Sequence, residues 1–290
     1  MRLDGPLVST EWLEDNLAEA SLRIYDTTVF MKHKTEGFGY ILDSGRGEWE
    51  AAHIPGAGFL DVVHDLSDRS RELPFMMPPA EAFAAVMASH GVGDNCAVVL
   101  YNKGFPMWST RVWWMLRSIG FDNVALLNGG WQEWWKEGRP VSAEAPGYPK
   151  GTLTAKPRPE MWVNKDDMLR MIDQGNPVTI NTLPPAVYSG EKNQYGRPGH
   201  LPGTYNVYYG HLINAETGEF LPPDKLKKLF EVSNALETDR VITYCGGGIS
   251  ATVDSLALLL CGQRNVAVYD GSMSEWVRDE SLPLKLGTEP

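Results

Sequence analysis

Residues 241–262 read VITYCGGGISATVDSLALLLCG: a cysteine, three glycines, an isoleucine and a serine between two apolar runs. A cysteine sulfur attacks as its thiolate, so a reactive Cys245 needs surroundings that favour negative charge. With no bulky side chain at Gly246, Gly247 or Gly248, the backbone can curl so that several N–H groups point inward. The N-terminus of the following helix would back them. No Lys or Arg lies between Arg240 and Arg264, so stabilisation from within the loop must come from the amides of Gly246, Gly247, Gly248, Ile249, Ser250 and Ala251. The competing reading is an inert cysteine packed beside a glycine turn, since free cysteine is often core.

The chain repeats itself, and the repeat separates these readings. HIPGA at His53–Ala57 returns as HLPGT at His200–Thr204, 147 residues later. VVLYN before Lys103 returns as VITYC, 143 residues on, and NVALLNGGWQEW ending at Trp134 returns as NVAVYDGSMSEW ending at Trp276, 142 residues on. Matches in one order at nearly the same offset imply two copies of one domain. In the first copy the loop reads YNKGFPMWSTR: Asn102 replaces the cysteine, and Phe105 and Pro106 replace small residues. Proline has no N–H to donate. The first copy is therefore expected to lack both nucleophile and cradle.

The elements that must hold the loop follow from periodicity. LRIYDTT, CAVVLY, VALLN, PVTIN, RVITY and VAVYD read as strands. PPAEAFAAVMASHG, STRVWWMLRSIG, PPDKLKKLFEVSN and ATVDSLALLLCG read as helices, three of them closed by Gly91, Gly120 and Gly262. Short apolar strands alternating with helices predict an α/β fold, a mostly parallel sheet in each copy with helices on both faces. Ligands in such sheets sit beyond the carboxyl ends of the strands, which is where Cys245 stands. EAPGYPKGTLTAKPRPE, with four prolines, reads as the connection. The expected division is a domain over 1–145, a linker over 146–160 and a domain over 161–290.

Composition narrows the function. The 290 residues are 43% hydrophobic and 22% charged, as expected of a globular chain with a substantial core. A net charge of −11 argues against nucleic-acid or anionic-membrane partners, so an anionic substrate must be drawn by a local site. Three cysteines without a CxxC pair suit free thiols in a reducing compartment; no zinc site and no cofactor are expected. The first residues, MRLDGPLVSTEWLEDNL, contain no continuous apolar stretch, so neither a signal peptide nor a membrane span is predicted and the cytoplasm is the expected location.

The two-copy layout, the HIPGA/HLPGT pair, the run RVWWMLRSIGFDNVALLNGGWQEW and the loop YCGGGISA resemble the tandem-domain rhodanese family, the thiosulfate and 3-mercaptopyruvate sulfurtransferases. The resemblance spans nearly the whole chain. It implies a rhodanese fold in both halves, an inactive first domain and a persulfide on Cys245. The thiolate would take a sulfane sulfur from a small anionic donor and pass it to cyanide or a thiol, with thioredoxin and glutathione among the candidate acceptors. A sulfur carrier that is loaded without turning over is the alternative. The related cysteine phosphatases need C-x5-R with its phosphate-gripping arginine, but the sixth residue after Cys245 is Ala251, which argues against that chemistry.

Departures from the family bear on the site. Thiosulfate-type loops carry Arg and Lys where this chain has Gly246 and Gly247. The mercaptopyruvate-type loop, C-G-S-G-V-T-A, fits at Gly246, Gly248, Ile249 and Ser250, but its serine is Gly247 here. That serine is associated with a histidine and an aspartate of the first domain; His53 matches the histidine and Asp43, more loosely, the aspartate. His53 and His200 also recur at one motif, which suits a structural role for both. Relatives have an aspartate and arginines in the region of INTLPPAVYSGEKNQYGRPGHLPG, whereas here Asn181, Leu183 and Tyr188 stand and Arg197 is retained. Arg197 is thus the leading candidate to grip the donor's anionic group, ahead of Lys192 and Tyr195; a solvated loop arginine is the other reading. Trp113, Trp114, Trp134 and Trp135 are expected in the core or domain interface, and Cys96 and Cys261 as packing residues.

Overall fold

The computed structural model describes residues 1–174 and 177–290. In chain order the strands are β1 (Leu7–Val8), β2 (Leu22–Asp26), β3 (Val29–His33), β4 (Tyr40–Ser44), β5 (Ala57–Phe59), β6 (Ala97–Tyr101) and β7 (Val124–Leu127), then β8 (Trp162–Val163), β9 (Val178–Asn181), β10 (Tyr205–Asn206), β11 (Val241–Tyr244) and β12 (Val266–Tyr269). Two five-stranded parallel sheets result, ordered β1-β7-β6-β2-β5 and β8-β12-β11-β9-β10. The expected α/β architecture with two tandem domains is the observed one. β6 and β11 are the central strands, buried along their whole length. Apolar runs suit such strands because both faces are covered by helices. Asn102 follows the first central strand and Cys245 the second.

Helices Met107–Ser118 and Ala251–Leu260 begin just beyond those two loops and pack against each other. Thr110 and Thr252, 142 residues apart and so at one repeat position, join their hydroxyls at 2.8 Å. Equivalent positions of the two copies therefore meet at the contact between these helices. Trp108, Trp113 and Trp114 are buried on the first of these helices, and one apolar cluster continues from them into the second domain. Burying each such ring contributes on the order of 2–3 kcal/mol. Trp134 is also buried, but Trp135 is 59% exposed, against expectation. It lies on the outer face of helix Gly130–Lys136, one residue round from the buried Trp134. Gly91, Gly120 and Gly262 take left-handed φ of +96°, +87° and +100°, as helix-ending glycines do.

Two parts of the chain behave less simply than their sequence. The proline-rich stretch after Glu144 has no regular secondary structure, yet it is strapped along the first domain. Tyr148 Oη donates to Gly56 O at 2.6 Å, Gly151 N to Ala88 O at 2.8 Å, and Lys156 N to Ile119 O at 2.7 Å. In addition, β3 and β4 form a separate antiparallel hairpin, which the strand pattern did not reveal. It stands over the second domain's loop.

Candidate active site

The loop after β11 is shaped by what surrounds it. Cys245 is 2% exposed and forms part of a cavity floor. Ser272 Oγ accepts from Cys245 N and Gly248 N, both at 3.1 Å, and donates to Tyr269 O at 2.7 Å. Ser272 itself has φ of +50°, a conformation that a serine keeps only when its contacts hold it there. Met273 N and Ser274 N donate to Cys245 O and Gly246 O, at 3.1 and 2.8 Å. Among the described residues no protein acceptor is found for the amides of Gly246, Gly247, Ile249, Ser250 and Ala251. They lie at the head of a ten-residue helix, where N–H groups without partners favour an anion.

The glycines differ in what they do. A Cβ on Gly246 would meet the Tyr195 hydroxyl at 2.0 Å, and one on Gly248, at φ of +73°, would meet Asp270 O at 2.7 Å. A Cβ on Gly247 would have only ordinary contacts, the nearest being Phe75 at 3.5 Å. Gly246 and Gly248 are needed for close approach and backbone conformation, and Gly247 for neither.

The first domain reaches across to finish the loop. Arg111, 1% exposed, sends Nη1 to Asp270 Oδ1 at 2.7 Å and to Gly248 O at 3.2 Å, and Nη2 to Phe75 O. Asp270 Oδ2 in turn accepts from Met77 N at 2.8 Å. Phe75, in the left-handed region at φ of +66°, packs edge-on against Trp108. One buried ion pair thus clamps the first-domain segment around Phe75 to the second-domain loop. The sequence held a signal for it: Arg111 sits among Trp108, Val112, Trp113 and Trp114 in a helix that contains no acid. Ser272 was also missed; its trace is that it replaces Gly130 of the first copy.

The cavity measures about 660 Å³. Its walls come from both domains: Met31, Phe38, Tyr40 and Leu42 of the hairpin region, Phe75 and Trp108, then Tyr195, Tyr208 and Tyr209 around Cys245. Lys34, Lys192 and Arg278 supply positive charge to the lining. Gln194 Nε2 donates to the hydroxyls of both Tyr40 and Tyr195. Burial pushes the phenol of Tyr40 up and that of Tyr195 well above its ordinary value, so both keep their protons near neutrality.

The rhodanese-like domain family matches this chain twice, over residues 9–137 and 164–279. The chain belongs to the rhodanese family. The thiosulfate/3-mercaptopyruvate sulfurtransferase 2 of Arabidopsis thaliana is 31% identical over 96% of this chain and 86% of its own length. The 3-mercaptopyruvate sulfurtransferase of Escherichia coli K12 is 30% identical over 96% of this chain and 97% of its own. The crystal structure of the 3-mercaptopyruvate sulfotransferase SseA from Escherichia coli superposes with a TM-score of 0.81 at 30% identity, covering 92% of this chain and 98% of that one. This rhodanese is a sulfurtransferase.

Some residues singled out in the sequence of this sulfurtransferase meet at the cavity: Cys245, Gly246, Gly247, Ile249, Ser250, Tyr195 and Lys192. Gly248 lies just beneath it and Ala251 begins the helix. Others do not meet there, and three expectations change. Arg197 gives Nη1 to Asp279 O and Nη2 to Leu282 O, both at 2.8 Å, so its guanidinium holds the C-terminal segment and does not line the cavity. His53 is fully buried, stacked on Trp49, with Nδ1 2.7 Å from Trp49 O and Nε2 3.1 Å from Glu144 O. His200 repeats this arrangement on Tyr188, with its ring nitrogens against Tyr188 O and Glu289 O. Both histidines are fastenings between elements, as their shared motif suggests. Asp43 is exposed on β4; side chains alternate along a strand, so Tyr40 and Leu42 face the cavity and Asp43 faces away.

Proposed function

We propose that this sulfurtransferase moves a sulfane sulfur from thiosulfate or 3-mercaptopyruvate to cyanide or a thiol through a persulfide on Cys245. Residues 161–290 are the catalytic domain, 146–160 the connection, and 1–145 a domain without its own reaction centre. The observation that carries the reading is Cys245 on the cavity floor inside a loop of unspent amides. Those amides, with the loop from Gly246 to Ala251, hold the negative charge of the thiolate and then of the terminal persulfide sulfur. In the first half-reaction the thiolate attacks the outer sulfur of thiosulfate; the S–S bond breaks and sulfite leaves with its electron pair. In the second, cyanide or a thiolate takes the terminal sulfur and Cys245 is regenerated.

Lys192, with Lys34 and Arg278, draws the anionic donor towards the sulfur, taking over the role first given to Arg197. The acceptor belongs to the thiols, with glutathione and thioredoxin as the forms to try, and the three free cysteines suit the cytoplasm. Among the described residues no helix is long and apolar enough to cross a membrane. The test is steady-state turnover of each donor with cyanide, together with intact mass of the resting protein. Repeated thiocyanate release with a Cys245 persulfide is expected. A single loading without turnover would make the protein a carrier instead.

A further inference from the structure

Gly247 leaves the loop without a side-chain hydroxyl at that position; the nearest, Ser274 Oγ, lies 3.8 Å from where a Cβ on Gly247 would stand. Ser272 Oγ braces the backbone, and Ser250 Oγ lies 3.4 Å from Thr182 Oγ1. A different hydroxyl stands over the loop. The Tyr195 ring lies against Gly246, one residue from Cys245, so closely that no Cβ fits between them. Its oxygen accepts from Gln194 Nε2 at 3.1 Å; the same amide donates to Tyr40, and the two phenols are hydrogen-bonded to each other. Tyr40 comes from the first-domain hairpin and Tyr195 from the second domain, so the pair exists only when the domains are docked.

The hydrogen-bond count leaves this pair one proton to give. An amide that donates to both oxygens occupies acceptor sites and leaves each phenol its own proton to give. The bond between the phenols uses one of those protons. Turning both hydroxyls lets Tyr40 give to Tyr195, which frees the Tyr195 proton for an oxygen bound in the cavity.

We propose that Tyr195, oriented by Gln194 and Tyr40, is a catalytic hydrogen-bond donor to the keto oxygen of an α-keto sulfur donor, making this site selective for such donors. The inference rests on the sulfur-transfer reading above. The Cys245 thiolate attacks the donor's sulfur and the carbon–sulfur bond breaks. Its electron pair becomes the enolate of the released keto acid, with the charge on the former keto oxygen. Tyr195 O–H stabilises that oxygen. The proton of the donor thiol ends on the released carbon, so Tyr195 keeps its own and nothing is oxidised or reduced beyond the sulfur transfer.

The experiment is single-turnover loading of Cys245 by 3-mercaptopyruvate and, separately, by inorganic polysulfide, which has no oxygen to bind. Parent, Tyr195→Phe and Tyr40→Phe are followed by intact mass. Tyr195→Phe should slow loading by mercaptopyruvate by about 10²-fold, as for removal of one preorganised donor, and loading by polysulfide by less than about 2-fold. Tyr40→Phe, which leaves Tyr195 in place but less well oriented, should fall between, at roughly 3- to 10-fold with mercaptopyruvate alone. Equal slowing with both donors would mean a disturbed loop, and no slowing would mean a bystander phenol; either overturns the inference while sulfur transfer stands. A parent protein loaded by polysulfide and never by mercaptopyruvate would remove the donor assignment and the inference with it.

Discussion

The loops at Asn102 and Cys245 end equivalent central strands and begin equivalent helices, but they differ in what fills them. In the first, Asn102 Nδ2 donates to Phe105 O at 2.8 Å and Asn102 Oδ1 accepts from Ser109 Oγ at 2.7 Å, so the side chain plugs its own loop. Lys103 N is taken by Thr28 Oγ1, and Lys103 Nζ by the carbonyls of Glu48 and Ala52. Pro106 contributes no N–H. In the second loop, bonds to Ser272 and Arg111 fix the backbone, and the amides of Gly246, Gly247, Ile249, Ser250 and Ala251 have no protein acceptor among the described residues. Among the described residues the first loop also keeps amides without a protein acceptor, at Gly104, Phe105, Met107, Trp108 and Ser109, so what separates the loops is the centre: a hydrogen-bonded Asn102 side chain in one and the Cys245 thiol in the other. The lesson is that losing the nucleophile and plugging the loop with a side chain are separate changes, and the first domain shows both.

That separation is open to direct attack. Cys245→Ser should abolish turnover and persulfide formation without a large change in thermal midpoint, since the substitution is nearly isosteric. Placing Asn102→Cys on that background should restore nothing by either readout. Measurable cyanide-dependent turnover in the double variant would show that the cradle matters less than the thiol.

The next largest effect concerns the clamp. Arg111→Ala leaves Asp270 buried without its partner, and breaking such a pair costs about 3–5 kcal/mol. Chemical denaturation should show that loss, together with a fall in activity as Phe75 and Gly248 lose their tether. A stability within 1 kcal/mol of the parent would place the ion pair among those that contribute little.

The glycines offer a smaller contrast. Gly248→Ala, in the left-handed region and against a backbone oxygen, should cost about 1–3 kcal/mol and slow sulfur transfer. Gly247→Ala should stay within about 0.5 kcal/mol. Gly247→Ser, which has room, should raise activity with mercaptopyruvate relative to thiosulfate, read as the ratio of kcat/KM values. If Gly247→Ala proved the more damaging, the loop would close further on its substrate than it does at rest.

The smallest expected effect lies one helical turn on. Asp254 is fully buried, neither carboxyl oxygen has a hydrogen-bond partner among the described residues, and its repeat equivalent is Val112. Burial raises its carboxyl well above 3.8, and the nearby Cys245 adds to the rise. Below 3.8 the folded and unfolded chains are both protonated there. As pH climbs above 3.8 the unfolded chain ionises while the folded one stays neutral, so the native protein loses stability up to its own raised pKa. Asp254→Val should therefore stabilise by an amount that grows with pH, seen as a widening gap in thermal midpoint between pH 4 and pH 8. A gap independent of pH would mean the carboxyl is solvated.

Local pattern was enough for much of this protein. Apolar runs placed the central strands, glycines closed the helices, and the two-copy comparison picked out Cys245 over Asn102, because strand, turn and helix preferences act between residues near in sequence. Contacts between distant residues were beyond it. Tyr40 and Cys245 are 205 residues apart, and no periodicity in either segment announces that a first-domain hairpin will wall a second-domain cavity. Arg197 looked like a binding cation until two backbone carbonyls claimed it, and His53 like a catalytic partner until stacking on Trp49 accounted for it. A side chain's type limits what it can do, but its role depends on which partner it reaches first, and docking of the two domains supplies that partner.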